Sequence, residues 1–98
     1  RLIDLIDTSS SDSVLFISGD RHRGGLYQLT SASGKNIVEM TSSSLNLSFT
    51  NDEEAGPLRV GPTFVQENYG EILLDKLSNE LTVNLKDNQG RIIQSVDI

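Results

Sequence analysis

The stretch on which the reading of this chain turns is "VLFISGDRHRGG", residues 14–25, in which four apolar residues run into a polar tip that holds the single histidine, His22. Val14 to Ile17 show no alternation of apolar with polar side chains, and the run is rich in residues that favour strands. Such a run predicts a strand covered on both faces in a parallel or mixed sheet. Upstream, Leu2, Ile3, Leu5 and Ile6 of "RLIDLID" share one side of a helix, with Asp4 and Asp7 turned away from it. "TSSSDS" then competes for backbone hydrogen bonds and ends the helix. Helix, loop and buried strand, in that order, make an α/β opening.

Working outward, "GLYQLTSASGKNIVEM" reads as two short strands joined by a turn around Ser31 to Lys35. From Thr41 to Thr63 the pattern dissolves into Ser, Asn, Gly and Pro around the acidic run "NDEE", which predicts one long surface loop, functional or mobile. Beyond it Ile72 and Leu74, then Leu81, Val83 and Leu85, then Ile92, Val96 and Ile98 mark one face of three antiparallel strands, with turns at "SN" and "DNQG". The expected fold class is α+β: a β-rich segment of short helix, buried strand, hairpin and antiparallel meander. No internal repeat or linker divides it, so residues 1–98 are read as one segment.

The length of 98 residues is that of one domain, and a chain of this size buries somewhat over ~60% of its unfolded surface, enough for a modest core. It opens on Arg1 in the middle of a helical pattern. The expectation is therefore a piece of a longer polypeptide whose upstream part, with any targeting segment, is absent. No stretch approaches the ~18 apolar residues that cross a bilayer, so no membrane partner is expected. With no cysteine, disulfides and thiol chemistry are excluded. A formal charge of −6 and a pI near 4.5 argue against a nucleic-acid-binding surface or an anionic membrane. A phosphate group would need a local positive site, from a metal ion or arginines.

The chemistry-bearing residues gather in "SGDRHRGG". Ligands of open α/β sheets collect beyond the carboxyl ends of strands, and Asp20 and His22, two apart, can reach a common centre there. Carboxylate oxygen and imidazole nitrogen are ligands for zinc, iron or manganese, although two donors are too few for a complete site. Against this stands the plainer reading of a surface turn with a hydrogen-bonded histidine. "SASGK" ends like a phosphate-binding loop but has Leu29 where the first glycine belongs. No Gly-x-Ser-x-Gly elbow supports a Ser-His-Asp triad. "NDEE" lacks the ligand spacing of a calcium-binding hand. Arg21, Arg23 and Arg59 can offer guanidinium groups to phosphate oxygens, with Arg23 better read as a balancing surface charge. "NLS" at Asn46 fits a glycosylation acceptor, relevant only in a eukaryotic secretory setting.

"VLFISGDRH", "NIVEMTSSSLN", the arginine and glycine of "LRVG", "ENYGEILLD" and "DNQGRIIQSV" occur in that order across nearly the whole chain. Together they resemble the carboxyl-terminal part of the PhoD-like (alkaline phosphatase D) branch of the calcineurin-like metallophosphoesterases, with "SGDRH" the most specific element. In that superfamily the corresponding strand ends in Gly-His-x-His, and PhoD-like members are similar to this chain in carrying Asp for the first His. The resemblance implies a metallophosphoesterase-like α/β sandwich and a two-metal centre of iron, zinc, manganese or calcium. It makes His22 a metal ligand, Asp20 a ligand or an orienting group, and Arg21 and Arg59 substrate-binding. The implied activity is that of a phosphomonoesterase or phosphodiesterase, with a phosphoester substrate and the remainder of the enzyme chain as partners. An exported or periplasmic location fits the same family. The superfamily's other ligand motifs, Asp-x-His, Gly-Asp-x-x-Asp and Gly-Asn-His-Asp or Glu, are absent, so the isolated segment is expected to be inactive. The rival expectation is a non-catalytic β-rich binding or structural module in which "GDRH" is only a turn.

Overall fold

The computed structural model describes residues 1–45 and 56–98. Helix α1 (Leu2–Thr8) is short and buries only Ile6, leaving Leu2, Ile3 and Leu5 exposed. It is held by polar contacts instead. Lys35 Nζ donates to the Ile6 carbonyl at 2.9 Å and to the Ser9 carbonyl. The Asp7 carboxylate accepts the Ser33 hydroxyl at 2.5 Å and the Ser33 N–H at 3.1 Å. The hairpin turn thus anchors the helix.

Strands β1 (Ser13–Ser18), β2 (Gly24–Thr30), β3 (Asn36–Ser42) and β4 (Arg59–Phe64) form a mixed sheet in the order β1-β3-β2-β4. β1 lies parallel to β3, with Leu15 opposite Val38. β2 runs antiparallel to both β3 and β4. The expected mixed sheet and hairpin are present. β1, however, is not covered on both faces: it is an edge strand, Val14 to Phe16 are half-buried, and Ile17 is 66% exposed. The single long loop expected over residues 41–63 also needs correction. Thr41 and Ser42 complete β3, and residues 59–64 are the strand β4. Gly61, at φ 72°, and Pro62 are tolerated there because β4 is the other edge strand and its pairing with β2 carries a register shift. The core of that expected loop, residues 46–55, lies outside the described residues.

Strands β5 (Asn68–Asp75), β6 (Glu80–Asp87) and β7 (Ile92–Asp97) form the second sheet, an antiparallel meander. Its turns fall where expected, with Asn79 at φ 59° and Gly90 at φ 80°. Ile72, Val83 and Val96 stand in one cross-strand column as the period-two pattern requires. Three members of the expected buried face stand open: Ile72 is 41% and Leu74 60% exposed toward the far end of the β5–β6 hairpin, and Ile92 is displaced. A register shift at Leu85/Lys86 turns Ile92 outward, 58% exposed, and brings Ile93 onto the core.

The two sheets pack face to face around Leu26, Val38 and Met40 from the first and Val83, Leu85 and Val96 from the second. Close approach depends on glycine. A Cβ on Gly24 would lie 2.7 Å from Asn68 Oδ1 and 2.8 Å from Leu85 Cδ1, both on fully buried side chains. Gly24→Ala is therefore expected to destabilise the fold by about 1–3 kcal/mol through overpacking. Urea denaturation would measure it, and an unchanged midpoint would contradict the packing.

Two carboxylates brace the meander. The Lys86 ammonium, 2.8 Å from Glu71 Oε2, and the Asn84 amide hold the Glu71 carboxyl below its ordinary range. Asp87 is lowered chiefly by the Arg91 backbone N–H, and its side chain also accepts the Gln89 N–H and Arg91 Nε. Depressed folded-state values mean that this contribution is complete above the unfolded-state pKa values and is lost as pH falls through the folded ones, below about pH 4. Melting midpoints should fall on acidification through that range, and less steeply in a Glu71→Gln, Asp87→Asn double variant. Superimposable pH profiles would show that these carboxylates carry no linked stability.

Candidate functional site

Between the end of β1 and the start of β2 lie Gly19, Asp20, Arg21, His22 and Arg23. Asp20 at φ 66° and His22 at φ 53° both occupy the left-handed region, which Asp and His enter more readily than most residues but still at a cost of order 1–3 kcal/mol each. Two such residues in alternation persist only when their surroundings impose them.

The imposing neighbour is Ser43. The pairing of Gly24 with Ser42 sets the next residue of the β3 strand beside Arg23. From there the Ser43 hydroxyl oxygen accepts the Arg21 N–H at 2.9 Å, while the Ser43 N–H donates to the Arg23 carbonyl at 3.3 Å. Ser42 and Ser44 are fastened by Asn68, which is only 2% exposed. The Ser42 hydroxyl donates to Asn68 Oδ1 at 2.8 Å, the Asn68 N–H donates to the Ser44 carbonyl at 2.9 Å, and Asn68 Nδ2 donates to the Gln66 carbonyl at 2.7 Å. One buried amide thus fixes the serine strip from behind, and the strip fixes the loop.

On the face of the first sheet turned away from the core, the Ser18 hydroxyl donates to Glu39 Oε1 at 2.6 Å and lies 2.6 Å from the Thr41 hydroxyl. A cleft of about 160 Å³ on this side is lined by Ile3, Phe16, Tyr27, Leu29, Ile37 and Leu58, with Glu39 at its polar wall. Arg59, on β4, donates from Nη1 to Thr63 Oγ1 at 2.9 Å. Thr63 in turn lies 3.4 Å from where a Cβ of Gly25 would stand, so the Arg59 head is drawn toward the end of β2 that follows the loop.

Of the residues expected to form a site, Asp20, Arg21 and His22 share one loop, with Asp20 and Arg21 exposed and His22 half-buried. Arg59 stands on another strand, opposite Tyr27 in the middle of β2, with only its head turned toward Thr63. The donor chemistry of Asp20 and His22 fits a metal ion, being one carboxylate and one imidazole. Among the described residues no group of three or more His, Cys, Asp or Glu side chains comes together. "NDEE" and Asn46 lie outside the described residues. Among the described residues no helix is long and apolar enough to cross a membrane. No protein-family model, curated protein or solved structure matches the chain.

Sequence reasoning missed Ser43, Asn68 and the Ser18–Glu39–Thr41 cluster. "TSSS" has the composition of a loop, and the role of each serine follows from register. Asn68→Ala removes the buried amide's hydrogen bonds to the half-buried Ser42 hydroxyl and the Gln66 carbonyl, each worth about 0.5–1.5 kcal/mol, for an expected cost of about 1–3 kcal/mol. Guanidinium denaturation measures this directly. A loss below about 0.5 kcal/mol, the scale of a neutral surface change, would remove Asn68 from the account.

Proposed function

We propose that this chain provides one corner of a metal-dependent phosphoesterase centre of the alkaline phosphatase D-like kind, within a metallophosphoesterase-like sandwich completed by the remainder of the enzyme. One observation carries the reading: two metal-donor residues, Asp20 and His22, alternate in a costly backbone conformation at the carboxyl end of a parallel strand and are braced there by a neighbouring strand. Strain maintained by its surroundings is a mark of functional places. His22 acts as a metal ligand through its imidazole, and Asp20 as a second ligand or as the group that orients one. Arg21 and Arg59 present guanidinium groups to phosphate oxygens, supplying the local positive charge that a phosphate needs on a chain of net charge −6. A two-metal centre, when bound, supplies an activated water and a charge clamp on the phosphoryl group. The substrate class is a phosphomonoester or phosphodiester, and the location that accompanies this family reading is exported or periplasmic.

A second reading, a non-catalytic binding or structural module, is favoured by the far end of the β5–β6 hairpin. There Leu73, Leu74 and Leu77 are 50%, 60% and 100% exposed, an apolar tip of the kind that marks association surfaces.

The deciding experiment uses a polypeptide in which the three missing ligand motifs precede these residues. Metal content and hydrolysis of a chromogenic phosphodiester and phosphomonoester would be measured with and without His22→Ala. The variant is expected to lose one metal equivalent and at least about 10-fold in turnover. Full metal stoichiometry with unchanged turnover would refute the assignment of His22, and an inactive, metal-free parent would leave the binding-module reading.

A further inference from the structure

The loop at residues 19–23 and the strip at residues 42–44 are far apart in sequence, yet one side chain of the strip meets the loop's backbone at its middle. Ser43 Oγ accepts the N–H of Arg21, the residue between the two left-handed positions. The same hydroxyl lies 3.4 Å from the Arg23 carbonyl, and Ser43 Cβ is 3.5 Å from where a Cβ of Gly19 would stand. Ser43 therefore touches the loop at residues 21 and 23, on the alternate set to Asp20 and His22. We propose that Ser43 is the positioning residue of this loop: its hydroxyl holds the backbone turned so that the side chains of Asp20 and His22 leave on the side opposite the strip. The consequence for a metal ion rests on reading those two residues as ligands; the positioning of the loop does not.

The geometry makes the hydroxyl specific. An alanine at residue 43 keeps the strand and its N–H to the Arg23 carbonyl but removes the acceptor for the Arg21 N–H. A threonine keeps an oxygen at the same place on Cβ. Ser42 cannot substitute, because its hydroxyl is committed to Asn68 Oδ1.

The test is nuclear magnetic resonance of the 98-residue chain in three forms: unaltered, Ser43→Ala and Ser43→Thr. Amide hydrogen exchange at Arg21 is read first, and broadening of the amides of residues 19–23 by substoichiometric Mn²⁺ second, with Mn²⁺ alone as the probe. Arg21 exchange is expected to be slow in the unaltered chain, at least about 10-fold faster in Ser43→Ala, as for loss of a hydrogen bond worth roughly 1.4 kcal/mol, and restored in Ser43→Thr. Mn²⁺ broadening centred on Asp20 and His22 should weaken in Ser43→Ala and recover in Ser43→Thr. An Arg21 amide that exchanges in the unaltered chain at the rate of an unstructured peptide overturns the proposal, and this reading does not require any variant to fold. Equal exchange in the unaltered chain and Ser43→Ala overturns it too. Equal Mn²⁺ broadening despite a released Arg21 overturns the link to the metal. If Ser43→Ala frees Arg21 but Mn²⁺ broadens no loop amide even in the unaltered chain, the reading of Asp20 and His22 as ligands fails while the positioning stands.

Discussion

A carboxamide with no access to water must find partners inside the protein, and in this chain that requirement, placed on Asn68, shapes both the join between the sheets and the candidate site. Its oxygen takes the Ser42 hydroxyl and its nitrogen reaches the Gln66 carbonyl, while its backbone N–H takes the Ser44 carbonyl. An unpaired amide in this place would cost about 1–3 kcal/mol, so the end of β3 and the start of β5 are locked together. The same side chain explains why residue 24 is glycine, since a Cβ there would strike Asn68 and Leu85 at once.

From that joint the consequences run in two directions. Toward the core, Leu26, Val38 and Met40 are set over Val83, Leu85 and Val96, and nonpolar burial at roughly 25 cal/mol per Å² supplies the cohesion of the two layers. Toward the opposite end, the serine strip is presented to the loop that follows β1. The strip divides the labour: Ser42 gives its hydroxyl and Ser44 its carbonyl to Asn68, and Ser43 gives its hydroxyl to the loop. The strained conformations of Asp20 and His22 are thus sustained by hydrogen bonds that originate in the core's rim.

How much of this was legible beforehand depended on whether local pattern or register decided each element. The meander was legible because its apolar residues keep period two and its turns use Asn79 and Gly90, residues that accept a positive φ. The mixed sheet was visible in the unbroken run Val14 to Ile17, but not the edge position of β1, since a residue run does not reveal how many neighbours a strand has. β4 was hidden by Gly61 and Pro62, which read as loop and are acceptable only because the strand is at an edge. The displacement of Ile92 by Ile93 came from a bulge that no spacing announces. At the candidate site Asp20 and His22 were visible by residue type alone. Ser43 was not, because three consecutive serines are chemically alike until pairing with β2 assigns each a side.

The most direct test of the claim that Asn68 is the joint of the structure is native-state hydrogen exchange of its backbone amide as a function of denaturant. The Asn68 N–H is expected to open only with the whole molecule, with the same free energy and denaturant slope as the amides of Val83 and Leu85 in β6. Exchange through a local opening, with a shallow slope and a free energy well below that of those core amides, would contradict it.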